Sequence, residues 1–66
     1  VTQAELINLA FAKLPPKLRT CLRLATCGCS RCEIAQILGI GTTSVGTYLS
    51  MARKQFRQEY YRLEHD

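Results

Sequence analysis

Four cysteines, Cys21, Cys27, Cys29 and Cys32, fall within twelve residues of a 66-residue chain. Thiolates at such spacing can converge on one zinc ion or exchange as a redox pair. A plainer reading is stronger. Cys21 and Cys29 stand where the helical pattern asks for an apolar residue, and a buried free cysteine behaves as a small hydrophobe. Cys27 and Cys32 then flank a turn with no histidine nearby, since the only histidine is His65. No metal and no cofactor is therefore expected, with a site on Cys27, Cys29 and Cys32 as the weaker alternative. Catalysis finds no better footing. The carboxylates are scattered, no glycine-rich phosphate loop exists, and Tyr60 and Tyr61 belong to the packing of a helix, so no enzyme is expected.

The second chemistry in the residues is recognition of a polyanion. Thr42, Thr43, Ser44, Thr47 and Tyr48 gather hydroxyls in one short stretch, and basic residues bracket it. Lys13, Lys17, Arg19, Arg23 and Arg31 run without an intervening acid, and Arg53, Lys54 and Arg57 form a second cluster before Glu59, Glu64 and Asp66 dilute it. Net charge is +4 with an isoelectric point near 9.1. Two basic segments suit nucleic acid, because each neutralised phosphate releases condensed counterions; a solvated face on a mildly basic protein is the competing reading. Ile34 to Met51 carries no charge, but Gly39, Gly41, Gly46 and several hydroxyls interrupt it, so no membrane association is expected. No charged-then-apolar leader opens the chain, and Val1 in place of Met suggests an excised domain or a processed chain.

Four helices can position these residues. Thr2-Gln3-Ala4-Glu5 reads as a capping box, with Leu6, Leu9, Ala10 and Lys13 at helical spacing behind it and Ile7, Phe11 and Leu14 on an adjoining stripe. Pro15-Pro16 stops that helix, and Pro16 can sit in the first turn of the next. The second helix turns Leu18, Cys21, Leu22 and Ala25 inward and ends near Gly28. Ser30-Arg31-Cys32-Glu33 is another capping box, leading into Ile34, Ala35, Ile37 and Leu38. Gly39 suits a left-handed C-terminal cap, with Ile40 folding back. The fourth helix begins near Thr42, sets Val45, Leu49, Ala52 and Phe56 at successive helical offsets, and continues towards Tyr60 or beyond. So short a link between the third and fourth helices forces a steep crossing, for which Ala35, Gly39 and Val45 supply a small contact residue, a turn residue and an apolar anchor. The expected fold is all-α, a small four-helix single domain over residues 1–66 with a helix-turn-helix at about 30–57.

Leu14-Pro15-Pro16-Lys17-Leu18-Arg19, Gly28-Cys29-Ser30, Glu33-Ile34-Ala35, Ile37-Leu38-Gly39-Ile40 and Leu49-Ser50-Met51-Ala52-Arg53-Lys54 together resemble the C-terminal, region-four domain of bacterial sigma factors, with the extracytoplasmic-function group the nearest in appearance. The Leu-Pro-Pro opening and the Ala-Arg-Lys ending set the chain apart from LuxR-type domains. The resemblance implies a cytoplasmic promoter-recognition domain. It would read the upstream (minus thirty-five) element of double-stranded DNA, dock on the flap of the β subunit of RNA polymerase core, and be masked by an anti-sigma factor. Carried onto this chain, it places Thr42, Thr43, Ser44, Thr47 and Tyr48 at base edges. Ser30 and Arg31, at a helix N-terminus, and Arg53 and Lys54, further along the recognition helix, fall to phosphate. Apolar residues of the first two helices become candidates for the polymerase or anti-sigma surface.

The chain departs from the family where members often carry a lysine and an arginine in mid-helix: Gly46 and Tyr48 stand there. Gly46 weakens the helix and takes a positive charge from the reading surface, and the hydroxyls cannot make the bidentate guanine contact of an arginine. Weak intrinsic DNA affinity is expected, made up by attachment to polymerase. Two alternatives stay open: a protein-interaction module with little DNA affinity of its own, bound by an anti-sigma factor or a polymerase subunit, and a cysteine-based metal or redox sensor.

Overall fold

The structure, a computed structural model, describes residues 2–65. Among them it forms four helices and no strand: α1 (Gln3–Ala12), α2 (Pro16–Thr26), α3 (Arg31–Leu38) and α4 (Thr42–Glu64). Each boundary has a local cause. Thr2 caps α1 by accepting the Glu5 N–H at 3.2 Å, the Thr2 half of the reciprocal pair expected there. Pro16 occupies the first turn of α2, where a missing N–H costs nothing. At the far end of α2 the Cys29 N–H reaches the Leu24 carbonyl and the Gly28 N–H reaches that of Ala25, a Schellman closure. Gly28, at φ +93°, takes the left-handed conformation that closure needs. Gly39, at φ +70°, does the same after α3, and the Ile40 N–H returns to the Ala35 carbonyl at 3.0 Å.

The long α4 is the spine against which α1, α2 and α3 all pack. At 23 residues it spans about 34 Å at 1.5 Å per residue, which accounts for the longest molecular dimension of 37 Å. Its buried stripe is Val45, Leu49 and Ala52, meeting Leu14, Leu18, Cys21, Leu22, Ile34 and Ala35 in one cluster. Phe11, Leu38, Ile40, Tyr48 and Phe56 pack around the edge of that cluster. Cys21 is fully buried, and burial pushes its thiol pKa up, as suits a cysteine serving as a core hydrophobe. Cys29 is half-buried against the same cluster.

Two apolar residues that the helical spacing assigns to the inner face lie outward instead. Ile37 is 60% exposed and Leu9 is 47% exposed. On α3 the buried stripe runs through Ile34, Ala35 and Leu38, and Ile37 lies about 100° round the helix from its centre. On α1 the core takes Ala10 and Leu14, the latter just past the helix end, and Phe11 packs beside them.

Candidate nucleic-acid interface

The α3–turn–α4 unit places the hydroxyl cluster. At the start of α3 the Ser30 hydroxyl accepts the Glu33 N–H at 3.1 Å, while the Ser30 N–H donates to Glu33 Oε1 at 2.9 Å. The capping box expected from the sequence is thus complete. Bonds from the Ser30 N–H and then from its side chain hold the Glu33 carboxyl below the ordinary carboxylate range. This helix start already carries an anion of its own.

The start of α4 is the opposite case. Gly41 caps it without any side-chain hydrogen bond, and no acid stands in its first turn. The first N–H groups of a helix have no partner within it, and its dipole is positive at this end, so an uncapped start invites an anion. Thr42, Thr43 and Ser44 occupy this turn, all exposed.

Beyond it, Thr43, Thr47, Ser50 and Lys54 recur at spacings of three and four and are all exposed, forming one stripe opposite Val45, Leu49 and Ala52. The Thr47 hydroxyl leans back towards the Thr43 carbonyl at 3.5 Å, a long contact that leaves it free to turn outward. Tyr48 does not share the stripe. It is half-buried against the core and lies about 140° round the helix from Thr43. No acidic residue occurs between Thr42 and Gln58, so nothing on this part of the helix repels phosphate.

Arg31 occupies a place that its position in the sequence does not announce. A methyl group added at Gly46 would sit 3.7 Å from Arg31 Nη1 and 3.9 Å from its Cζ. The guanidinium rooted in α3 therefore rests over the bare backbone of α4.

Arg53, on the flank of α4, faces a second feature. With Ile7, Phe11, Phe56, Arg57 and Tyr60 it lines an open groove of about 570 Å³ between α1, α2 and α4. The rings of Phe11 and Phe56 meet at 5.0 Å, Phe56 and Tyr60 at 6.1 Å, and the Arg23 guanidinium lies 5.2 Å from the Phe11 ring centre. The sequence points to apolar residues of the first two helices for such a surface and misses the share that α4 takes in it. The available signal is Phe56 and Tyr60, four residues apart on one helix face.

The cysteine alternative finds no support in the geometry. Among the described residues no group of three or more His, Cys, Asp or Glu side chains is gathered in a way that could hold a metal ion. Cys27 and Cys32 are exposed, Cys29 leans on the core, and all four cysteines are free. No described helix is long and apolar enough to cross a membrane.

Comparison with curated proteins and with solved structures finds no match. A family model does match: that of sigma-70, region 4, over residues 4–56. That span takes in all of α2 and α3, nearly all of α1, and α4 as far as Phe56. On this match, together with four helices whose third and fourth form a helix-turn-helix, the chain belongs to the sigma-70 region 4 family.

Proposed function

We propose that α4 reads the upstream (minus thirty-five) promoter element in the major groove while the groove between α1, α2 and α4 docks on the flap of the polymerase β subunit. Promoter recognition and interaction with RNA polymerase are the work of the family; the division of that work between these two surfaces is the proposal. The observation that carries it is the contrast between two helix starts. That of α3 is closed by Ser30 and Glu33, whereas that of α4 is uncapped by any side chain and dressed in hydroxyls.

Thr42, Thr43, Ser44 and Thr47 meet base edges, where a threonine offers both a hydroxyl and a methyl to the bases. Tyr48 reaches the groove only from the flank. Arg31, Arg53 and Lys54 hold phosphate and fix the register of the helix on the duplex, whereas Ser30, with its N–H and hydroxyl engaged by Glu33, has little left to offer it. The protein works in the cytoplasm, where its polymerase is, and no catalytic step is assigned to it.

The test uses holoenzyme assembled with the full-length protein, on promoters varied across the upstream element. Thr43→Ala and Thr47→Ala should each change which sequences are preferred, and Lys54→Ala, away from the groove, should lower occupancy by a similar factor on all of them. Unchanged preferences in both threonine variants would sink the assignment of α4.

The apolar groove favours a second reading, a docking domain whose principal partner is an anti-sigma factor or a polymerase subunit. It would prevail if holoenzyme showed no protection of the upstream element by this domain while substitutions in the groove still released the partner.

A further inference from the structure

We propose that Arg31 is a base-reading residue, carried across the helix-turn-helix onto the α4 surface by the missing side chain at Gly46, and that it takes the O6/N7 edge of a guanine. The inference rests on the promoter-reading function above and moves Arg31 from phosphate to base.

The guanidinium lies just beyond the place of a Cβ at position 46, with Nη1 3.7 Å and Cζ 3.9 Å from it, so a methyl group would touch it and a longer side chain directed the same way would displace it. Gly46 is the fifth residue of α4, within the N-terminal part of a recognition helix that contacts base edges. It lies one turn from Thr42, Thr43 and Ser50, all exposed. The cation that the early part of α4 lacks in its own sequence is thus supplied by α3.

Arg31 is available for this. It is exposed, and among the described residues the ion pairs join Arg62 to Glu59 and His65 to Glu64, leaving no carboxylate on it. Its root is a poor phosphate corner, because the Glu33 carboxylate closes the start of α3. A glycine inside a helix is unfavourable, and the guanidinium seated on it gives this one a packing role. An arginine fork matches the two acceptors of guanine in the major groove, a contact that none of the α4 hydroxyls can make.

The experiment selects promoters from a pool randomised across the upstream element, using holoenzyme assembled with the full-length protein, and sequences the bound fraction. Wild type should demand guanine at one position, and Arg31→Ala should reduce that demand about tenfold while other positions keep theirs. Arg31→Lys, which keeps the charge and loses the fork, should show the same loss. Gly46→Leu fills the seat and should erase the same guanine, with no further effect when combined with Arg31→Ala. Equal weakening of all sequences by Arg31→Ala would make Arg31 a phosphate contact and overturn the proposal, as would guanine preference surviving Gly46→Leu. Thr43→Ala and Thr47→Ala run alongside. If they shift preference and Arg31→Ala does not, this inference alone fails; if none of the three does, promoter reading by α4 fails with it.

Discussion

Gly46 weakens α4, yet the space beside it still has room for a methyl group. In a helix interior glycine costs about 1 kcal/mol relative to alanine, chiefly through backbone entropy. An alanine Cβ here would meet Arg31 at 3.7 Å, an ordinary contact distance. Gly46→Ala should therefore stabilise the chain by about 1 kcal/mol and leave the guanidinium in place, so the urea midpoint should rise while promoter preference holds. A lower midpoint would mean that the seat tolerates nothing larger than hydrogen. Glu33 gives a prediction of a different kind. Its carboxyl is held below the ordinary range by the Ser30 N–H and side chain, so the folded state favours the charged form more than the unfolded state does. That contribution is complete above the unfolded carboxylate pKa and is lost as pH falls through the lower, folded one. Across that acidic window the unfolding temperature of wild type should fall more steeply than that of Glu33→Gln, in which the group cannot titrate. Parallel curves would show that the capping box adds no acid dependence.

At the scale of elements, α3 is short and fastened by very few side chains. Ile34 is 1% exposed and joins α2 to α4 through the core, whereas Ile37 is 60% exposed. Ile34→Ala should cost about 2–5 kcal/mol, the usual range for emptying a buried aliphatic site. Ile37→Ser should change stability by no more than about 0.5 kcal/mol. Chemical denaturation of the two variants checks both, and a large loss for Ile37→Ser would mean that the residue is covered in solution. The same pair shows what a sequence can carry. Caps and stops are local chemistry, so the Ser30–Glu33 box, the Pro15–Pro16 break and the left-handed Gly39 are legible in the residues alone, whereas Gly28 reads only as a helix end and its left-handed turn comes from the structure. Periodicity, by contrast, marks an apolar stripe without fixing its centre, which depends on the neighbouring helices; it misplaces Ile37 and Leu9 for that reason. The hydroxyl cluster of α4 is legible as composition, but its contrast with the closed start of α3 needs the hydrogen bonds. The seating of Arg31 on Gly46 is not legible at all. It joins residues on two helices whose crossing decides the contact, and the glycine alone looks only like a weakness.

In the proposed division of work the whole molecule uses α4 twice, and the two surfaces would answer to different forces. On the proposed reading, the exposed stripe of Thr43, Thr47, Ser50 and Lys54 meets DNA, and its one cation, Lys54, makes the phosphate contact that should weaken with salt. The groove lined by Ile7, Phe11, Phe56 and Tyr60 is apolar with Arg53 and Arg57 at hand, which suits an apolar partner helix bearing acidic residues. A domain with modest charge on its reading helix gains occupancy from being tethered, because docking raises the effective concentration of α4 at the promoter. Two exposed positions separate these contributions without touching the buried core. Lys54→Ala should leave binding to polymerase core unchanged and lower the slope of log affinity for promoter against log salt by about 0.9, the share of one phosphate contact. Ile7→Asp, at a residue 36% exposed on the groove wall, should leave that slope unchanged but weaken association with core, and promoter occupancy should fall at limiting core and recover when core is added in excess. Fluorescence anisotropy of labelled protein against core, together with promoter binding over a salt series, reads both. If Ile7→Asp changed neither core binding nor occupancy, the groove would not be the docking surface, and if Lys54→Ala weakened core binding instead of the salt slope, the two surfaces would have to be exchanged.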